Sequence, residues 1–421
     1  MTNAEKLLSN ETSDKSSDRW LNRTVLGAGI TSALGDFCYE TTTVLLPGFM
    51  AVLGIPAAAL GLIEGFAEMA SSLTKMFAGF VADKLGHRKA LVLLGYGLTP
   101  AGQVLIALAV GWPLILIGRL VSWIGKGLRG PLRDAIVIQS VTARTRGRAF
   151  GFHRAMDTLG AVVGPLLGVA LLGWTQGLGW SADGAFRFVF WLSVIPGILA
   201  VIAFLVLVRD PSETPNQALR LFSTLRDLPR RFRTYLGAVA IFGLGDFSHS
   251  LLVLAATQLL APSLGLVEAA QAAGLLYVAR NVVQVLASFP AGALADRFGS
   301  KPVLVSGYAT GAATSALAAF AFWFDRQPLF ILGAVFFLAG IYVAIQEALE
   351  STVTAEMVDA ETLATSYGAL GVVNGVTKFA SSAGLGLLWT IVSPIFGFGL
   401  AASLMVAGTI FLAAGVRSRS A

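Results

Sequence analysis

AGFVADKLGHRKALVL, residues 78–93, returns in altered form as AGALADRFGSKPVLV, residues 291–305. Each copy joins two apolar stretches through a short turn dense in charge. Further upstream ALGDF at 33–37 is answered by GLGDF at 243–247, and the step from Asp36 to Asp246 nearly equals that from Gly79 to Gly292. Two echoes at nearly one offset imply a duplicated unit spanning half the chain.

The composition says where such a unit resides. Of 421 residues, 55% are hydrophobic and only 13% charged, with a mean hydropathy of +0.74. A soluble domain carries roughly a quarter charged residues, so this chain lacks the means to cover a water-facing surface. Apolar runs of about twenty residues are expected as helices at 22–48, 57–81, 90–110, 113–139, 148–173, 186–208, 235–260, 268–293, 302–323, 328–353, 363–389 and 395–416. The expected fold is an all-α membrane protein, twelve transmembrane helices in two six-helix halves around a central cavity. The halves occupy 21–208 and 235–416, joined by a basic cytoplasmic linker at 209–234, with tails at 1–20 and 417–421.

The loop charges set an orientation. Residues 82–89, 140–148, 209–234 and 295–301 hold much of the loop Lys and Arg and fall on one side if the spans alternate. Basic loops stay cytoplasmic, which places both termini inside a bacterial-type inner membrane. The formal charge of +6 is accounted for in the same way, so nucleic acid is not an expected partner; lipid and a small-molecule substrate are. A lone Cys38 and the dispersed His87, His153 and His249 offer neither a disulfide nor a metal site. The polar first twenty residues read as a disordered tail, not a secretory signal.

Helices 3, 9 and 12 contain no Asp, Glu, Lys, Arg or His, and helix 6 has only Arg187 at its edge. A charge facing lipid costs several kcal/mol, so the uncharged helices can form the outer ring while the others turn inward. Helix 4 carries the densest stripe. Arg119, Lys126 and Arg133 recur at every seventh position, with Arg129 between them, over about 21 Å of helix at ~1.5 Å per residue. Arg119 lies well inside the apolar run; GKGLRGPLRD at 125–134 lacks the full P-loop order and reads as the cytoplasmic half of the same helix. Asp36 and Glu40, one turn apart on helix 1, are the expected partners, Glu40 at the depth of Arg119 and Asp36 nearer Lys126.

Acids beside cations can exchange a partner for a proton, so Asp36, Glu40, Glu68 and Arg119 are candidates for proton coupling. Lys126, Arg129, Asp246, His249, Arg280, Glu347 and Lys378 are candidates for the substrate cavity. Arg280 and Lys378 have no acid nearby in sequence and could meet an anionic group, unless Asp246 or Glu347 neutralises them across the cavity. Arg133, Asp134, His153, Arg154 and Asp157 fall near the cytoplasmic end and suit a gate. In GAVVGPLLG at 160–168, Gly160, Gly164 and Gly168 permit close helix packing, and Pro165 favours a bend.

These features resemble the major facilitator superfamily, most strongly in GFVADKLGHRK at 79–89 and its second copy GALADRFGSK at 292–301. The resemblance covers residues 20–416. It implies a cytoplasmic gate made by Gly79, Asp83, Gly86, Arg88 and Lys89, with Asp296, Arg297 and Gly299 doing similar work in the second half and basic residues binding across the interface. GAVVGPLLG resembles the helix 5 motif of antiporters and drug exporters, and Arg119 resembles their helix 4 arginine, linked to proton movement. The segment LVSWIGKGLRGPLRD after Arg119 departs from the usual multidrug pattern.

A secondary active transporter using alternating access, without a cofactor, coupled to protons and functional as a monomer is therefore expected. Efflux of a small polar or anionic metabolite or toxic compound leads; uptake of an organic anion or metal complex by proton symport is the alternative. A non-transport receptor or scaffold is the third reading. A membrane enzyme is not expected, because no spacing assembles a nucleophile with a base.

Overall fold

The computed structural model describes residues 20–85, 88–142, 145–209, 228–324, 328–358 and 363–415. The expected tails and most of the expected linker lie outside these residues. Among the described residues the chain forms thirteen α-helices and no strand, as a lipid environment demands of a backbone that must satisfy its own hydrogen bonds. In chain order the first half holds α1 (Arg23–Val52), α2 (Ala57–Leu85), α3 (Arg88–Leu108), α4 (Trp112–Gln139), α5 (Arg146–Gly177) and α6 (Ala182–Leu207). The second holds α7 (Arg230–Gly243), α8 (His249–Leu264), α9 (Leu266–Phe298), α10 (Ser300–Phe324), α11 (Pro328–Met357), α12 (Leu363–Ile391) and α13 (Pro394–Gly415).

Seven helices, α3, α5, α6, α9, α10, α11 and α13, are long and apolar enough to cross a membrane by composition alone. The other long helices, α1, α2, α4 and α12, carry Asp36, Glu64, Arg119 and Lys378. Charges dilute the apolar signal of α1, α2 and α4, and Lys378 together with many glycine, serine and threonine residues dilutes that of α12. The twelve-helix, two-half layout holds, with one correction: the seventh span, expected as one helix over 235–260, starts at Arg230 inside the stretch read as linker and breaks at residues 244–248.

The break has a local cause. Gly243 and Gly245 flank Leu244, helix propensity is low at glycine, and other acceptors take over the freed backbone donors. The Asp246 N–H bonds the Phe242 and Gly243 carbonyls, and the Ser248 N–H reaches Ser382 Oγ at 2.9 Å.

The halves share an apolar core at one end only. One apolar cluster draws on both, running from 44–50 and 57–63 to 251–260, 267–277 and Trp389. At the end carrying the basic loops the apolar clusters separate, one wholly in the second half around Phe232, Tyr308 and Leu349, and two wholly in the first, around Tyr96 and Val25. There Lys75, Arg154 and Glu347 are exposed. A cleft between the halves therefore opens toward the basic end, while α2 and α12 stay packed together. The main contacts of α3, α6, α10 and α13 are all within their own half, as an outer ring requires.

The α5 motif grips α1 at matching intervals. A Cβ on Gly160 would strike the Ala33 carbonyl, one on Gly164 would lie 2.7 Å from the Phe37 carbonyl oxygen, and one on Gly168 would lie 2.8 Å from Thr41 Cγ2. Helix α5 runs unbroken through Pro165. Gly164→Leu should separate the two helices, lowering stability by about 1–3 kcal/mol, the usual range for overpacking. Thermal melting of the purified protein reads this, and an unchanged midpoint would mean that the contact is dispensable.

Candidate functional site

Helix α4 continues through GKGLRGPLRD to Gln139 with Pro131 inside it, so its four cations lie along one helix. Arg119 is wholly buried. Its Nε and Nη2 donate to the two carboxylate oxygens of Glu64 at 2.9 and 2.8 Å, and Nη1 donates to Thr43 at 3.1 Å. The partner is thus on α2, not among the α1 acids expected from sequence. Two parallel N–H···O bonds between planar groups form the strongest common geometry for such a pair.

Further along α4, Lys126 rests over the Tyr39 ring, Nζ 4.2 Å from its centroid, with Trp123 also near. Arg129 holds Asp36 at 2.9 Å and lies over Tyr96. Arg133 donates to Ser32 at 2.6 Å and pairs with Asp134 at 3.1 Å and Asp157 at 3.7 Å. His153 Nε2 is 2.8 Å from the same Ser32 hydroxyl, and exposed Arg154 is 3.9 Å from Asp157. All these groups belong to the first half.

The second half repeats the plan with different chemistry. Asp246 answers Asp36, and Tyr342 of α11 meets it as Arg129 of α4 meets Asp36. Where Arg129 neutralises Asp36, Tyr342 can only donate a hydrogen bond to Asp246, as does Gln346 at 3.3 Å. The missing positive charge comes from α12 instead: Lys378 Nζ is 3.4 Å from Asp246 and 3.7 Å from Glu68 of the first half. Lys378, lacking a sequence neighbour of opposite sign, is thus paired twice in space.

Two further carboxylates cross between the halves. Tyr277 of α9 donates to Glu40 at 3.1 Å, and the Ser248 hydroxyl, in the break, donates to Glu64 at 3.3 Å. Glu350 is a buried hub that accepts from Tyr308 at 2.7 Å, Gln346 at 3.1 Å and Asn374 at 2.7 Å. Glu347 is exposed and accepts from Gln284 at 2.8 Å. Arg280 donates to His249 Nε2 at 2.8 Å and to Asn281 at 2.7 Å.

A family model for the Major Facilitator Superfamily matches residues 26–266. The chain belongs to the Major Facilitator Superfamily. It is a multi-pass membrane transporter, and its relatives agree with that reading. An uncharacterised MFS-type transporter of Methanocaldococcus jannaschii is 29% identical over 378 residues, covering 89% of this chain and 90% of that one. The quinolone resistance protein NorA of Staphylococcus aureus is 24% identical over 176 residues, 42% of each chain. A mutant of the nucleoside transporter NupG has the same fold, with a TM-score of 0.76 at 15% identity, over 94% of this chain and all of that one.

The superfamily's duplicated loop can be followed in part. Gly79 falls within α2, whereas Gly86 and the side chain of Asp83 lie outside the described residues. Arg88 opens α3, and Lys89 donates to the Leu205 and Val208 carbonyls at 2.9 and 2.5 Å. In the second copy Lys301, which aligns with Arg88, donates to the Ala413 carbonyl at 2.9 Å. Each lysine thus binds the carboxyl-terminal end of the last helix in its own half, where exposed carbonyls attract a cation. Asp296 and Arg297 are exposed, Arg297 over the Phe298 ring, and Gly299 ends α9 with φ of 89°.

Sequence position held a signal for Glu64. It stands two turns into α2, which begins at Ala57, and Arg119 stands equally far into α4, which begins at Trp112; both helices start from the same end of the bundle. Equal rise from one end places the two at one depth.

Proposed function

We propose that this transporter exports a small polar or anionic compound from the cytoplasm in exchange for protons, in a bacterial-type inner membrane with both termini cytoplasmic. The observation that carries the reading is the seam of acids between the halves. Glu40, Glu64 and Glu68 all belong to the first half and each touches a group of the second, Tyr277, Ser248 and Lys378. A proton arriving on any of them weakens a contact that holds the halves in this state, and that is how protonation can bias alternating access. Asp36 plays a different part. Its partner Arg129 is in the same half, so protonation there frees a cation without unlocking the seam.

Outward direction is supported by the helix 5 motif and by the partial likeness to NorA; in this state the cleft is open at the basic end. The positive-inside rule makes that end cytoplasmic. Proteoliposomes of known orientation, screened with metabolites and toxic compounds, test direction and coupling together. An imposed pH gradient should drive movement of the cargo, and the cargo should dissipate the gradient. A verified cargo that moves without either effect rejects the proton coupling, and uphill movement toward the basic end under an inward proton gradient reverses the direction.

A further inference from the structure

Four arginines are buried in the described part of the bundle: Arg119, Arg129, Arg133 and Arg280. Three have a carboxylate within ion-pair distance, Glu64, Asp36, and Asp134 with Asp157. Arg280 has none among the described residues, and its buried Nε has no hydrogen-bond partner. The two bonds it makes are to neutral groups. A guanidinium only donates, so His249 Nε2 must be the acceptor and the imidazole is uncharged in this state.

The groups around it give the site a shape. His249 is half-buried and, with Asp246, Phe247, Leu252, Thr314 and Tyr342, lines a small pocket in the second half. Arg280 is not part of that lining; its guanidinium is hydrogen-bonded to His249 and lies over the Tyr277 ring at 5.8 Å. The nearby acids are already engaged: Asp246 with Lys378 and Tyr342, Glu68 with Lys378, and Glu40 with Tyr277. Lys378, the other sequence candidate for an anion, is occupied by two carboxylates.

We infer that Arg280 is the anchor for an oxyanion on the cargo, a carboxylate or phosphonate-type group, with His249 and Tyr277 beside it. The inference rests on the transport reading above and narrows its cargo to organic anions. A buried cation without a counter-charge is costly to a folded chain, and a ligand anion supplies that charge. The unpartnered Nε–H leaves one edge of the guanidinium available to such an oxygen. Opening and closing of the cleft would bring this edge to the cargo.

The test is equilibrium binding to the purified full-length protein without a gradient, followed by tryptophan fluorescence and thermal melting. Benzoate, its neutral analogue benzamide, and phenylphosphonate serve as probes. Benzoate or phenylphosphonate should bind and raise the melting temperature while benzamide does not, and the stronger of the two anions names the group. Arg280→Gln should weaken that binding at least about tenfold, roughly the contribution of one charge-assisted hydrogen bond. Arg280→Lys should fall between, and Arg230→Gln, which removes an exposed charge at the basic end, should bind as wild type. Benzamide binding as well as both anions, no anion-dependent binding at all, or Arg280→Gln binding like wild type would overturn the assignment. The unliganded variants give a second arm: Arg280→Gln should melt no lower than wild type, because no counter-charge is stranded. If it melts as low as Arg119→Gln, Arg280 is structural and the inference falls. Anion binding through Arg280 with no proton movement sinks the coupling proposal alone; proton-coupled flux of neutral cargo only sinks this one.

Discussion

Replacing Arg119 with glutamine is expected to stop transport and to lower stability by about 3–5 kcal/mol, the usual effect of breaking a buried ion pair from one side. The carboxylate of Glu64 would remain in a site from which water is excluded, with only the Ser248 hydroxyl at 3.3 Å to meet it. Glu64→Gln should do comparable harm by stranding the guanidinium. The double variant should recover much of the lost stability, because neither charge is then left alone, yet it should not recover flux. A double-mutant cycle by thermal melting, together with gradient-driven uptake into vesicles, reads both quantities. If each single variant melts with the wild type, the pair contributes nothing and its role in the cycle must be abandoned.

Lys378→Met should have the next largest effect, for a reason peculiar to the second half. Asp246 and Glu68 both rely on this amine, at 3.4 and 3.7 Å, and a second cation is absent from either ion pair among the described residues. Two carboxylates would be left at the seam between α2 and α12, and a loss on the order of 3–5 kcal/mol is expected, with transport abolished. Lys378→Arg should keep most of both, since the charge survives. Adding Asp246→Asn to Lys378→Met should restore stability in part. A Lys378→Met protein that transports and melts normally would show that Tyr342 and Gln346 suffice to hold Asp246.

The duplication, the helix positions and the inward turn of the charged helices were legible because each depends on composition along one dimension. Partner choice was not, because it depends on rotation about a helix axis and on depth measured from a common end. Arg119 shows the difference. Its burial followed from the apolar run around it, but its partner was sought on α1, whereas Glu64 shares its rise. The end of α1 at Val52 and the start of α4 at Trp112 lie at one face of the bundle, and Asp36 and Arg129 sit almost equally far from it, which is why those two meet. The break at 244–248 escaped for another reason. A window of apolar residues passes smoothly over GLGDF, and only the backbone's new acceptors, including Ser382 from the distant α12, make the interruption tolerable.

That Tyr342 meets Asp246 where Arg129 meets Asp36 also sets an order for biosynthesis. As the chain enters the membrane from its amino end, Asp36 and Glu64 acquire their arginines as soon as α4 is inserted, so the first half can mature while the rest is still on the ribosome. Asp246 has no such early partner. It enters with the α7–α8 break and must wait for α12, almost the last helix made, to deliver Lys378. That same amine also closes on Glu68, so late insertion of one helix completes the second half and fastens it to the first in a single event.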